Sequence, residues 1–365
     1  MTTISDILRH LDEKAPFVYQ ESYDNSGLLV GDPKREVTGV LVALDCTEAI
    51  VEEAIAIGAN VIVTHHPIVF KGLKRLTGSN YVERTVIKAI ENKIALIAVH
   101  TNLDHMPDGV NAVIADKLRL TNQRILAPKP GILNKLVVFV PQTHSETVLQ
   151  ALFSAGAGAI GDYDSCGFYA GGTGTFRPLE GAKPFLGTIG EPEKVAENRV
   201  EVLVTQDRLS AAVSAMLLAH PYEEVAYDIV AVSNKHPRIG AGMVGDLETA
   251  IPAEEFLKTV KRTFDCGVIR YTDLMEKTVR RVAVCGGSGG FLLADAIRAK
   301  ADVFITADYK YHEFFDADGQ IIIADIGHFE SEQYTSELLV AIIRKKFSNF
   351  AVRLTNVNTN PIKYL

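Results

Sequence analysis

Short apolar runs in this chain end repeatedly on Asp or His, with helical patterns between them. Gly39 to Leu44 closes on Asp45. Val61 to Val63 runs into Thr64-His65-His66-Pro67, and Ile94 to Val99 into His100. Later, Val303 to Thr306 leads to Ala307-Asp308, and Ile321 to Ala324 to Asp325-Ile326-Gly327-His328. Continuous apolar runs of about four to eight residues read as strands buried on both faces. The intervening helices show their own spacing. Ile4, Ile7, Leu8 and Leu11 mark one that ends before Pro16, and Thr47 caps another that stops at Gly58. Further helices are expected over 82–91, 254–264, 292–300 and 331–344. Alternation of this kind predicts an α/β fold of mainly parallel sheets flanked by helices.

The rhythm breaks after Leu126. Pro128, Pro130 and Gly131 punctuate the chain, and the stretch 156–174 is rich in Gly with alternating aromatics, as in antiparallel hairpins. Strand patterns at 135–140, 200–205 and 225–232 and helix patterns at 146–155 and 209–219 suggest a ferredoxin-like α+β unit. Strand–helix alternation then returns. The expected division is therefore 1–126 and 235–365 as two parts of one α/β domain, with 127–234 inserted.

Formal charge is -8, with no block of Lys and Arg, which argues against a nucleic-acid-binding face. Cys46, Cys166, Cys266 and Cys285 show no close pairing, as expected of a reduced cytoplasmic protein. No apolar run approaches the roughly 20 residues of a membrane span, and no signal-peptide pattern opens the chain.

Asp45, His65, His66, His100, Asp104, Asp308 and His328 all fall at or just past the carboxyl end of an expected strand. In a parallel sheet those ends share one edge, where α/β folds bind ligands. His328 and Glu332 are four apart and face the same way if a helix opens there, whereas Glu330 points elsewhere, to cap or to solvent. His65, His66, Asp104, His328 and Glu332 are thus candidate metal ligands. Three imidazoles and two carboxylates suit two divalent ions, zinc, iron or manganese alike. His100 and His105 either orient a ligand or bond a backbone carbonyl. His312 either acts as general acid or base or simply follows an Asp308 cap. Gly286, Gly287, Ser288 and Gly289 either cradle a substrate phosphate or form a tight turn. His10, His144 and His236 are expected at the surface.

Taken together, Tyr23-Asp24-Asn25-Ser26-Gly27-Leu28, Thr64-His65-His66-Pro67, His100-Thr101-Asn102-Leu103-Asp104, Thr306-Ala307-Asp308 with Tyr311-His312, and Gly327-His328 with Glu332 resemble the NIF-three-like proteins, also called GTP cyclohydrolase I type 2 homologues. The family usually has Trp at the place of Tyr23 and Gly at that of Ala307. The resemblance implies a dinuclear site on His65, His66, Asp104, His328 and Glu332, and a ring-shaped homohexamer with those sites facing an internal cavity. It implies a small-molecule substrate, with opening of the guanine ring of GTP by metal-activated water as the named reaction. There His312 or His100 would shuttle protons and the glycines would hold the triphosphate. The same site would also suit another hydrolase, such as a phosphoesterase, or a non-catalytic metal-binding regulatory hexamer. Longer bacterial members carry an insert similar to PII and CutA proteins, and His220-Pro221-Tyr222-Glu223-Glu224-Val225-Ala226-Tyr227-Asp228 looks like its signature. PII-like units tend to trimerise.

Overall fold

The computed structural model describes residues 1–274 and 277–365. The chain divides into two compact units, one of Met1–Pro128 with Arg238–Leu365 and one of Lys129–Pro237. The first unit holds two sheets.

Its five-stranded sheet runs in the order Gly27–Val30, Ala95–Ala98, Val61–Thr64, Gly39–Ala43, Ala351–Leu354. All neighbours are parallel except Gly27–Val30, which lies antiparallel to Ala95–Ala98. The three central strands are buried at every position, as continuous apolar runs require. Helices Glu48–Ala56 and Tyr81–Glu91 cover this sheet, packing Ile50, Val51, Val86 and Ala89 onto Leu41, Ile62 and Leu96. Helix Ile4–Lys14 starts where the Asp6 carboxylate accepts from both the N–H and the hydroxyl of Thr3, each at 2.9 Å. Its His10 is buried, not at the surface, because the ring bonds the Ile342 carbonyl at 3.0 Å.

The six-stranded sheet runs Arg270–Tyr271, Ile322–Asp325, Val303–Ala307, Thr278–Ser288, Gly240–Pro252, Thr121–Pro128. Only the pairings of Val303–Ala307 with its two neighbours are parallel. The sheets are therefore mixed, and the expectation of mainly parallel sheets is corrected. Gly240–Pro252 and Thr121–Pro128 are the antiparallel strands behind the difference. Their glycines and exposed polar residues hide the apolar signal that marks a buried strand. Phe304, Ile323, Ala283 and Leu293 form this sheet's core.

The expected helix over 331–344 is two. A short helix His328–Glu332 and a longer one, Thr335–Lys346, are separated at Gln333 and Tyr334. The side chains of those two residues donate to the Phe264 and Thr263 carbonyls, each at 2.9 Å.

The second unit has one antiparallel sheet, ordered Gly167–Phe176, Glu193–Thr205, Leu133–Pro141, Tyr227–Ala231. Helices Ser145–Ser154 and Gln206–Ala219 alternate with these strands along the chain. Val138, Val200, Val148, Leu152 and Met216 form its core. No helix among the described residues is long and apolar enough to cross a membrane.

Candidate metal centre

In the first unit, the carboxyl ends of parallel strands from both sheets open onto one cavity of about 950 Å³. Asp45, His66, His100 and Asp104 reach it from the first sheet, and Gly286, Ser288, His328 and Glu332 from the second. The strand-end residues converge as expected, although from two sheets and not from one edge.

Three atoms meet at its floor. His66 Nε2 lies 2.9 Å from Glu332 Oε2 and 3.2 Å from His328 Nε2, and His328 Nε2 lies 3.1 Å from the same Glu332 oxygen. The far side of each ring explains why this is unusual. His66 Nδ1 bonds Asp45 at 2.7 Å, and His328 Nδ1 bonds Asp308 at 2.7 Å. A carboxylate can only accept, so each Nδ1 carries a proton, and each ring in its neutral form turns a bare Nε2 lone pair inward. Two lone pairs and a carboxylate oxygen cannot crowd together without a cation among them. Ligand atoms on one tetrahedral zinc lie about 3.3 Å apart, given Zn–N bonds near 2.0–2.1 Å. The observed spacing fits that arrangement. In the metal-free chain protons take the cation's place. Burial works against the charged rings, but Asp45 and Glu332 raise His66 to about 9, and Asp308 and Glu332 raise His328 to about 11. Glu332 is itself buried, yet His328, His65 and His66 hold its carboxyl well below the usual range.

A second, looser group shares Glu332. His65 is fully buried, and its Nδ1 donates to the Val99 carbonyl at 2.9 Å. That leaves Nε2 bare, 3.7 Å from Asp104 Oδ1 and 3.7 Å from Glu332 Oε1. Both His65 Nε2 and Asp104 Oδ1 are buried without a hydrogen-bond partner. Orphaned polar atoms of this kind are costly unless something binds them. Burial, then the nearby Glu332 charge, pushes the Asp104 carboxyl up. The donor set and the orphaned atoms both fit divalent metal. His65, His66 and His100 offer ligand atoms within 4.8 Å of one another, as do His66, His328 and Glu332.

His100 stands beside these rings, with centroids 5.2 Å from His65 and 5.5 Å from His66. Its Nδ1 bonds Asp24 at 2.8 Å. Asp24 is buried, but His100 and Thr101 keep its carboxyl far below the usual range. His105 lines the cavity wall, its Nε2 tied to Glu21 at 2.8 Å. His312 is exposed, with its ring against Tyr311 and Phe315, and does not line the cavity.

The glycine run has a role that a phosphate loop would not need. Strand Thr278–Ser288 continues through most of it. The N–H of Gly286 donates to Asn111, that of Gly287 to Ser331 and that of Gly289 to Thr306, at 2.9 to 3.0 Å. These three amides are already engaged and are not free to cradle a phosphate, whereas Ser288 lines the cavity. Gly287 has φ +60°, and a Cβ there would come within 2.5 Å of Glu332 Oε1. The glycine makes room for the carboxylate. Glu330 is buried rather than turned to solvent, and accepts from Asn360 at 3.1 Å. Asp45, Asp308 and Asp24, which hold the imidazoles, sit at strand ends or in the opening turn, a signal visible in the sequence. Asn111, and Asn360 to Ile362 of the C-terminal segment, carried no such signal.

Comparison with known proteins agrees over the whole length. The family described as Duf34/NIF3 (NGG1p interacting factor 3) matches residues 2–361. A Halalkalibacterium halodurans protein named GTP cyclohydrolase 1 type 2 homolog is 41% identical over 348 residues, covering 94% of this chain and 93% of that one. A Bacillus subtilis protein of the same name is 36% identical, with 98% of each chain covered. The crystal structure of a Bacillus cereus protein related to NIF3 superposes with a TM-score of 0.85 at 36% identity, over 100% of this chain and 99% of that one.

Proposed function

This chain belongs to the Duf34/NIF3 family, and from that premise we propose that it is a metal-dependent hydrolase with a dinuclear centre. The convergence of bare lone pairs and orphaned buried atoms carries the reading. His66, His328 and one oxygen of Glu332 would hold one ion. His65, Asp104 and the other oxygen of Glu332 would hold its neighbour. Such a pair supplies Lewis acidity and water that ionises near neutral pH.

The chain's own groups supply the rest. Asp45 and Asp308 fix the imidazoles that face the ions. Asp24 holds the Nδ1–H of His100, which leaves its Nε2 as the atom that would take up or return a proton at the cavity. Tyr23 and Phe70 line the cavity with rings 6.2 Å apart, and both are partly exposed. They offer flat apolar surface to a planar heterocycle. Opening of the guanine ring of GTP is the candidate reaction, as the relatives' name suggests. The Lys129–Pro237 unit is read as a ferredoxin-like, PII-related module, supported by its βαββαβ order. With it, the chain is proposed to assemble as a hexamer.

The test is turnover by metal-loaded protein. GTP consumed with release of formate, and lost in His65→Ala, supports the reading. Turnover of phosphoesters but not GTP replaces the reaction with phosphoester hydrolysis. A metal-replete protein that turns over neither is a binding assembly and not a hydrolase.

A further inference from the structure

The motif His220-Pro221-Tyr222-Glu223-Glu224 has no part in the metal centre; it lies in the Lys129–Pro237 unit. His220 is buried and acts as a corner. Its Nε2 donates to the Phe139 carbonyl at 3.0 Å, and its Nδ1 accepts from the Tyr222 N–H at 3.0 Å. Burial pushes its pKa down, which keeps the ring in this neutral form. The corner aims Tyr222 into a cavity of about 330 Å³.

Inside that cavity Tyr222 Oη donates to Glu197 Oε1 at 2.9 Å. Phe176 and Phe185 form two further walls, with ring centroids 5.8 and 6.3 Å from that of Tyr222. Glu197 is only 7% exposed. A Cβ at residue 174 would fall 1.9 Å from Glu197 Oε2, so Gly174 is what lets the carboxylate lie there. Among the described residues, no basic side chain forms an ion pair with Glu197, and Oε2 takes no hydrogen bond. Glutamates are almost never this buried unless paired. Arg177 also lines the cavity, but so do Glu223 and Glu224, which leaves negative charge in excess.

We propose that this cavity binds an organic cation, the ammonium group of a small metabolite. Glu197 is the counter-charge, and Tyr222, Phe176 and Phe185 form the walls. Aromatic faces attract ammonium groups, most strongly where water is excluded. The volume suits a small ligand. A lone buried carboxylate with a phenol does not make the ligand set of a bound metal. Phe185 is half exposed, so the cavity has an open side.

Calorimetric titration of the full chain tests this with three probes: choline, butylammonium, and 3,3-dimethylbutan-1-ol as the neutral counterpart of choline. At least one cation is expected to bind about tenfold or more tightly than the alcohol. The better of the two cations tells whether a quaternary or a primary ammonium is preferred. Glu197→Gln keeps an acceptor for Tyr222 and is expected to lose the preference for charge. Phe185→Ala removes a rim wall, not a core residue, and is expected to weaken the same cation should Glu197→Gln unfold. No binding by either cation, equal binding of cation and alcohol, or unchanged affinity in both variants would overturn the proposal.

Discussion

The two ligand groups that share Glu332 differ in how completely the protein assembles them. Around His66 and His328 the facing atoms lie 2.9 to 3.2 Å apart, and carboxylates lock both rings from behind. Around His65 and Asp104 the gaps are 3.7 Å, and the ring is held by a backbone carbonyl. A carboxylate behind an imidazole raises its basicity as a ligand, whereas a neutral carbonyl does so less. On the proposed reading, the first group would bind its ion tightly and the second would hold one that leaves more readily. A site with one anchored and one labile ion keeps a position where substrate can compete.

The largest effect should come from the residue common to both. Glu332→Ala is expected to abolish both ions, read by elemental analysis of the purified chain. Single-group variants break the symmetry. His328→Ala should lose the tightly held ion, and His65→Ala only the labile one, leaving about one ion per chain in each case. Equal affinity of the ion that remains in the two variants would erase the difference between the groups. Next come the supporting carboxylates. Asp308→Asn and Asp45→Asn should weaken the tight ion by about 10–100-fold in a chelator competition.

The pH dependence follows from the metal-free protonation states. His66 at about 9 and His328 at about 11 must give up protons to bind metal. Affinity at the tight group should therefore rise with pH through about 9 and, less steeply, on to about 11, with protons released on binding. The sign for stability is the reverse. Both rings have folded pKa values above the ordinary 6.5, so their contribution is full below 6.5 and is lost as pH rises through 9 and then 11. Metal-free protein should lose melting temperature over that window, and metal-loaded protein should lose less. Gly287→Ala is a smaller test, in which a displaced Glu332 should loosen both ions without removing either.

Much of this was legible in the sequence, and the failures have physical causes. Apolar runs ending on Asp45, His65, His66, His100 and His328 mark buried parallel strands and the candidate site residues at their ends. The four-residue spacing of His328 and Glu332 places both on one helix face. Strand burial says nothing about which strands pair or in which direction, so mixed sheets looked mainly parallel. Gly240–Pro252 and Thr121–Pro128 carry too much Gly and polar character to announce themselves. A glycine run between strand and helix looks the same whether it wraps a phosphate or clears space for Glu332. His10 and Glu330 are buried through partners at Ile342 and Asn360, and partnerships so distant in the chain leave no local pattern.

The reading turns on Glu332 joining two ion sites of unequal affinity. The direct measurement is titration of metal-free protein with zinc, followed by calorimetry at neutral pH. Two ions per chain are expected, bound in separate steps, with the weaker step alone missing in His65→Ala. A single step of one ion per chain, left intact by His65→Ala, would contradict it.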